Sequence, residues 1–222
     1  MPMIQFGSTN TNPKTSKVNP IYMGLPLLFE GTFAFDQSVI IPKCEEYIKT
    51  APGFGTYHPT LEVGNAGSSV EEHKNNPHTW PELQPFMRWV ANQAVEIFKI
   101  WGHPFDDIVV SNSWINRHRK GGWTNFHAHD NTTLVVAAYL KVPPKSGNLI
   151  IVDPLEYHWH GLRVKMGHAN GTDRELPVST NKVYLFAPFL RHGTQQSESD
   201  DDRWVLSINL STIMKLNDKE YR

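Results

Sequence analysis

The chain has 222 residues with 21 Lys and Arg against 22 Asp and Glu, a formal net charge of -1, so recognition through massed phosphates is not expected and no nucleic-acid partner is read from it. A single cysteine, Cys44, excludes an intrachain disulfide framework and favours a reducing compartment. Met1 to Asn19 is a polar tail without the apolar core of a signal peptide, and the longest apolar run, Leu134 to Leu140, is far below the ~20 residues of a membrane-crossing helix. The expectation is a cytoplasmic, non-membrane protein made of a tail, 1–19, and one domain, 20–222.

In chain order, Ile21 to Phe35 is apolar but interrupted by Gly24 and Pro26, as in an irregular edge strand. Gln37 to Thr50 predicts a helix: Val39, Ile40, Cys44, Tyr47 and Ile48 recur at three- and four-residue steps, and Pro52-Gly53 is a stop. Gly53 to Pro77 reads as loop. A longer helix is predicted from Thr79 to Trp101, with Leu83, Phe86, Val90, Ala94, Ile97 and Trp101 on one face. Thr79-Trp80-Pro81-Glu82 fits a capping box, while Pro85, lacking a backbone donor, moves the regular start toward Leu83.

Beyond Pro104 the texture becomes short strands: Asp107 to Arg117, Thr133 to Val142, Asn148 to Val152, Asn181 to Pro188 and Arg203 to Thr212. This spacing predicts a sandwich or barrel, mainly β with flanking helices. Leu155 to Thr180 is a long insertion read as a lid or active-site wall. Glu198 to Asp202 reads as a solvated hairpin tip.

His127-Ala128-His129 places two imidazoles on one face of a strand, where both can reach one ion. Taken alone such a pair is weak, and His158-Trp159-His160 repeats it inside the insertion, where these residues and His168 read as lid residues. The first pair gains from its neighbours: Gly121-Gly122 before it, an apolar strand after it, and His192 beyond a later strand. In the last strand Trp204, Leu206, Ile208 and Leu210 share one parity, and Arg203, Val205, Ser207 and Asn209 the other. Parity does not say whether Arg203 faces water or a pocket.

Trp114-Ile115-Asn116, Gly121-Gly122, His127-Ala128-His129, Tyr139-Leu140, Asp153-Pro154, the run from Phe186 to His192, and Arg203 with Ser207 and Asn209 together resemble the successive motifs of a family of iron(II) and 2-oxoglutarate-dependent oxygenases common in marine bacteria and their phages. The resemblance covers roughly the C-terminal half. It implies a double-stranded β-helix, a cupin-like jelly roll, with helices against the outer face of its larger sheet. It further implies His127 and His192 as iron ligands and Arg203 bonded to the far carboxylate of 2-oxoglutarate, helped by Tyr139 and Ser207. The cofactors implied are Fe(II), 2-oxoglutarate as co-substrate, O2, and ascorbate as an optional reductant. The implied reaction is a dioxygenase-catalysed hydroxylation of a small molecule or a protein side chain.

The wider superfamily uses two histidines and a carboxylate, and here histidine stands at the second place. His129 is the favoured third ligand. Asp130 has the opposite strand parity, and an exogenous anion, halide included, is the remaining option. Two other readings stand beside the oxygenase: a cupin-like three-histidine isomerase or hydrolase, and a non-catalytic jelly roll whose histidines satisfy local hydrogen bonds. The oligomeric state is open between monomer and homodimer.

Overall fold

A computed structural model describes residues 26–50, 62–70, 75–154 and 173–214. The polar tail, the Pro52-Gly53 stop and the histidines at 158, 160 and 168 lie outside the described residues. The elements are β1 (Leu28–Thr32), α1 (Gln37–Thr50), β2 (Glu62–Val63), β3 (Ala66–Ser68), α2 (Gln84–Trp101), β4 (Asp107–His118), β5 (Trp123–Thr124), β6 (Leu134–Lys141), β7 (Leu149–Val152), β8 (Asp173–Leu176), β9 (Lys182–Phe186), β10 (His192–Thr194) and β11 (Arg203–Ile213).

The strands form a six-stranded antiparallel sheet in the order β1-β9-β6-β11-β4-β3, a three-stranded sheet β10-β7-β8, and a small β2-β5 pair. From β6 onward the chain passes back and forth between the two larger sheets, with β7 and β8 consecutive in the smaller one, the double-stranded β-helix that the resemblance implies. β1 is an edge strand, as its glycine and proline neighbours suggest.

Period-two alternation divides the interior into two cores. Leu134, Val136, Ala138 and Leu140 of β6 join Leu206, Ile208 and Leu210 of β11 against the helices. Val135, Ala137 and Tyr139 turn the other way, to meet Leu149, Ile151 and Phe186 inside the roll. The same alternation resolves the orientation of β11: Trp204 packs under the helices and Arg203 points into the roll, fully buried.

α1 begins where Asp36 accepts the backbone N–H of Ser38 through its side chain. Its buried face is Ile40, Ile41, Cys44, Tyr47 and Ile48, while Val39 is exposed. α2 buries Phe86, Val90, Ala94, Ile97 and Phe98 and ends at Gly102, whose left-handed φ of 61° lets its N–H cap the carbonyls of Phe98 and Lys99. The predicted capping box does not form: the Thr79 hydroxyl donates instead to the Asn76 carbonyl, and Pro77–Thr79 and Pro81–Leu83 are tight 3-10 turns. Prolines at 77, 81 and 85 remove the donors that a continuous α-helix would need there.

Further departures come from short pairing that local sequence does not announce. The loop predicted at 53–77 contains β2 and β3, and residues 173–176 of the predicted insertion form β8 against β7. The acidic run is not an idle tip: Asp200 pairs with Lys120, and Asp202 with Arg117 and Arg119. Among the described residues no helix is long and apolar enough to cross a membrane.

Phe86 is fully buried with Phe33, Phe35 and Trp89 rings 4.9–5.8 Å from its own. Phe86→Ala is expected to lower the unfolding free energy by about 3–5 kcal/mol, read from urea midpoints at constant slope, with Val109→Ala on the exposed face of β4 shifting it by less than about 0.5 kcal/mol.

Candidate active site

The pair at 127 and 129 does not lie on a regular strand. After β5 the chain leaves the sheet, Asn131 turns with φ 54°, and β6 begins at Leu134. What holds His127 is a single antiparallel bridge to His192: each backbone N–H donates to the other's carbonyl, at 2.9 and 2.8 Å. The backbone N–H of His129 donates to the Pro188 carbonyl at 3.0 Å. The two histidine-bearing segments are thus tied main chain to main chain, and three imidazoles separated along the chain come into contact in space. Ring centroids are 4.3–5.1 Å apart.

The hydrogen bonds select the tautomers. His127 Nδ1–H donates to the Asn125 carbonyl at 2.9 Å, His192 Nδ1–H to the Leu190 carbonyl at 2.8 Å, and His129 Nδ1–H to Asn209 Oδ1 at 2.7 Å. Carbonyl oxygens can only accept, so each ring keeps its proton on Nδ1 and presents a bare Nε2 lone pair. Trp114 stacks on His129, centroids 5.8 Å apart at 26°. His127 Nε2 and His129 Nε2 face each other at 3.2 Å, and a ligand nitrogen from each of the three rings lies within 4.8 Å of the others.

Two lone pairs so placed repel unless a cation lies between them. Two nitrogens bound at right angles to one ion at ~2.1 Å stand about 3 Å apart, so the spacing suits a divalent transition metal. Burial pushes all three imidazoles below the ordinary histidine range, His129 to about 4, with His127 adding to the effect on His129 and His192. Neutral imidazole is the form that ligates. Asp130 sits at the exposed rim, outside the imidazole cluster.

The imidazoles and Arg203 line one cavity of about 250 Å³. Arg203 Nη1 donates to the carbonyls of Ser146 and Gly147, both at 2.9 Å, and Nη2 donates to His118 Nδ1. Its Nε–H is buried and has no partner among the described residues. Tyr139 and Ser207 share the cavity wall, burial raises the Tyr139 phenol well above its ordinary pKa, and Asn116 Nδ2 donates to Ser207 Oγ at 3.0 Å. Val135, Ala137, Leu149, Phe186 and Val205 supply the apolar wall. An unpaired guanidinium donor beside a phenol and a hydroxyl in such a wall fits a carboxylate.

Sequence reasoning passed over several residues that build this site. Asn209 was part of a motif but had no stated task, and it orients His129. His118 shares the inward parity of Trp114 and Asn116 on β4, which was the available signal. Glu62 and Thr124, which bond to His118, lie on the two-residue strands β2 and β5 and carried none.

Residues 112–209 match the family model described as "Putative 2OG-Fe(II) oxygenase". The match runs from within β4 to within β11 and contains the three imidazoles and Arg203, so the likeness of this segment is to that family. No curated protein matches the chain by sequence. Among solved structures, a Pseudomonas putida prolyl-4-hydroxylase is similar with TM-score 0.57 and 10% identity, over 84% of this chain and 93% of that one. AviO1 from Streptomyces viridochromogenes is similar with TM-score 0.55 and 16% identity, over 84% and 90%. The epimerase SnoN, solved with Fe3+, alpha ketoglutarate and nogalamycin RO, has TM-score 0.54 and 10% identity, over 83% and 78%. At these identities the likeness is one of fold.

Anaerobic titration with Co(II) is expected to show one ion bound per chain, with visible bands of a nitrogen-ligated centre. Asn209→Ala releases the Nδ1–H of His129 and is expected to weaken that binding about 10–100-fold.

Proposed function

We propose that this protein is a 2-oxoglutarate-dependent hydroxylase in which His127, His129 and His192 hold iron(II) and Arg203, with Tyr139 and Ser207, receives the far carboxylate of 2-oxoglutarate. The observation that carries the reading is the meeting of three Nε2 lone pairs and a buried guanidinium with a free Nε–H on the wall of one cavity. Bound iron supplies the activation of dioxygen, coupled to decarboxylation of 2-oxoglutarate to succinate and carbon dioxide, with the second oxygen atom delivered to substrate.

The protein's own tasks follow from its residues. The backbone bridge between 127 and 192 fixes two imidazoles, and Asn209 with Trp114 fixes the third. Arg203, fully buried, offers a charge-assisted bond where the low local dielectric strengthens it. The apolar side chains of β6, β7, β9 and β11 form the wall beside it. Trp114, Ala128 and Asp130 also line the cavity, and the exposed Ala128 and Asp130 mark the rim proposed for substrate entry. Hydroxylation is favoured by the fold shared with the prolyl-4-hydroxylase, and a small molecule or a protein side chain is the proposed substrate. Near-neutral charge and the lone cysteine support action in the cytoplasm without nucleic acid or membrane, by a monomer or homodimer.

With Fe(II), ascorbate and 2-oxoglutarate in air, the chain is expected to release succinate and labelled carbon dioxide even without its substrate, at a low uncoupled rate. His127→Ala and His192→Ala are expected to reduce this at least 100-fold. Arg203→Leu is expected to raise KM for 2-oxoglutarate about 100-fold, since it removes a buried charged hydrogen bond. Full activity with Zn(II) on a hydrolysable substrate, and no turnover of 2-oxoglutarate, would instead identify a three-histidine hydrolase.

A further inference from the structure

Beneath Arg203 lies a polar relay in which His118 is 2% and Arg203 0% exposed. β4 and β11 bring the two residues directly opposite one another in register. Nη2 of Arg203 donates to His118 Nδ1, so that nitrogen is unprotonated and the proton sits on Nε2. Nε2–H in turn donates to Glu62 Oε2 at 3.0 Å. Thr124 Oγ1 donates to both carboxylate oxygens of Glu62, at 3.0 and 3.2 Å, and lies 3.0 Å from His118 Nε2. The Glu62 side chain is 4% exposed. Burial and the Arg203 charge both push the His118 imidazole below the ordinary range, and the bond to Glu62 works against them.

The arrangement is unusual in where it puts the negative charge. Among the described residues, every acceptor that touches the Arg203 guanidinium is neutral: two carbonyls and one imidazole. The carboxylate stands one ring further back. A carboxylate directly on the guanidinium would take the fork that a co-substrate needs and repel an incoming anion. An imidazole held in one tautomer passes the attraction on, yet leaves the Nε–H unclaimed.

We infer that His118 is a positioning residue for co-substrate binding: clamped by Glu62 and Thr124 in its Nε2-protonated form, it aims the Arg203 guanidinium at the carboxylate of the co-substrate while leaving Nε–H free. This rests on the proposed 2-oxoglutarate reading of the cavity. Glu62, through His118, sets the tautomer and supplies the compensating charge without competing for the ligand.

The test is anaerobic binding of 2-oxoglutarate to Mn(II)-loaded protein by tryptophan fluorescence or calorimetry, alongside Mn(II) affinity measured separately. His118→Ala is expected to raise the Kd for 2-oxoglutarate at least 10-fold while changing Mn(II) affinity less than about 3-fold. His118→Asn, whose side-chain carbonyl can stand near the Nδ1 place, is expected to recover part of the loss. Glu62→Gln and Thr124→Val serve if the alanine variant does not fold, each expected to weaken 2-oxoglutarate binding about 3–10-fold. In both, nitrogen-15 spectra are expected to show His118 no longer confined to the Nε2-protonated form. Wild-type affinity for 2-oxoglutarate in His118→Ala, or in both Glu62→Gln and Thr124→Val, overturns the inference. So does a parallel loss of Mn(II) and 2-oxoglutarate binding with no recovery in His118→Asn. If the wild-type protein binds Mn(II) but no 2-oxoglutarate, it is the oxygenase reading itself that fails, and the relay's assignment with it.

Discussion

Strand β11 is the constraint on which the rest of the molecule depends. It pairs with β4 on one side and β6 on the other, so its register sets both neighbours. Its alternate residues do opposite work: Trp204, Leu206, Ile208 and Leu210 seal the sheet against α1 and α2, while Arg203, Val205, Ser207 and Asn209 line the cavity. A slip of one residue would send an arginine under the helices and a tryptophan into the cavity. The hydrophobic gain of the outer face, roughly 1.5–3 kcal/mol for each large apolar side chain buried, therefore also holds the guanidinium in the interior. Stability and function are set by one periodicity.

On the proposed reading, metal chemistry and co-substrate chemistry are supported by different means. The imidazoles stand on irregular chain, where precision comes from main-chain hydrogen bonds between 127 and 192 and between 129 and 188, and from acceptors that select each tautomer. Arg203 stands on a regular strand, and its precision comes from a ring of acceptors around the guanidinium. One of these is the carbonyl of Gly147, where φ is +76° and an added Cβ would come within 2.7 Å of the Gln195 carbonyl oxygen. Glycine is required there because the chain turns left-handed while passing close to the backbone of Gln195. On the proposed reading, with His129 as third ligand, the three protein donors are neutral imidazoles. Glu62 supplies a buried negative charge nearby, behind the arginine and not on the cluster.

Much of the architecture was legible because it is written as periodicity. The 3.6-residue spacing of Phe86, Val90, Ala94 and Ile97 and the two-residue spacing of β11 are direct consequences of which faces are buried. α1 coincides with its predicted span, and the strand cores of β4, β6, β7, β9 and β11 lie within the short β-type runs that breakers delimit in the sequence. The failures share a cause. β2, β3, β5 and β10 are two or three residues long, too short for any period to register, and exist because a partner strand is already in place. The capping box failed because three prolines made tight turns more favourable than a cap on a single helix.

For the site, the sequence by itself determined which groups were available and in what order: two histidines two residues apart, a third after an apolar strand, and an arginine on the mixed-polarity face of the last strand. The family motifs then attached a chemistry to that order. Only the tertiary structure decided that Arg203 faces inward, that the histidine pair is held by a bridge to His192 and not by a strand of its own, and that Glu62 and His118 stand behind the guanidinium. The physical reason is that alternation fixes which residues share a face but not which face is buried. That choice is made by whatever packs against the sheet, here α1 and α2.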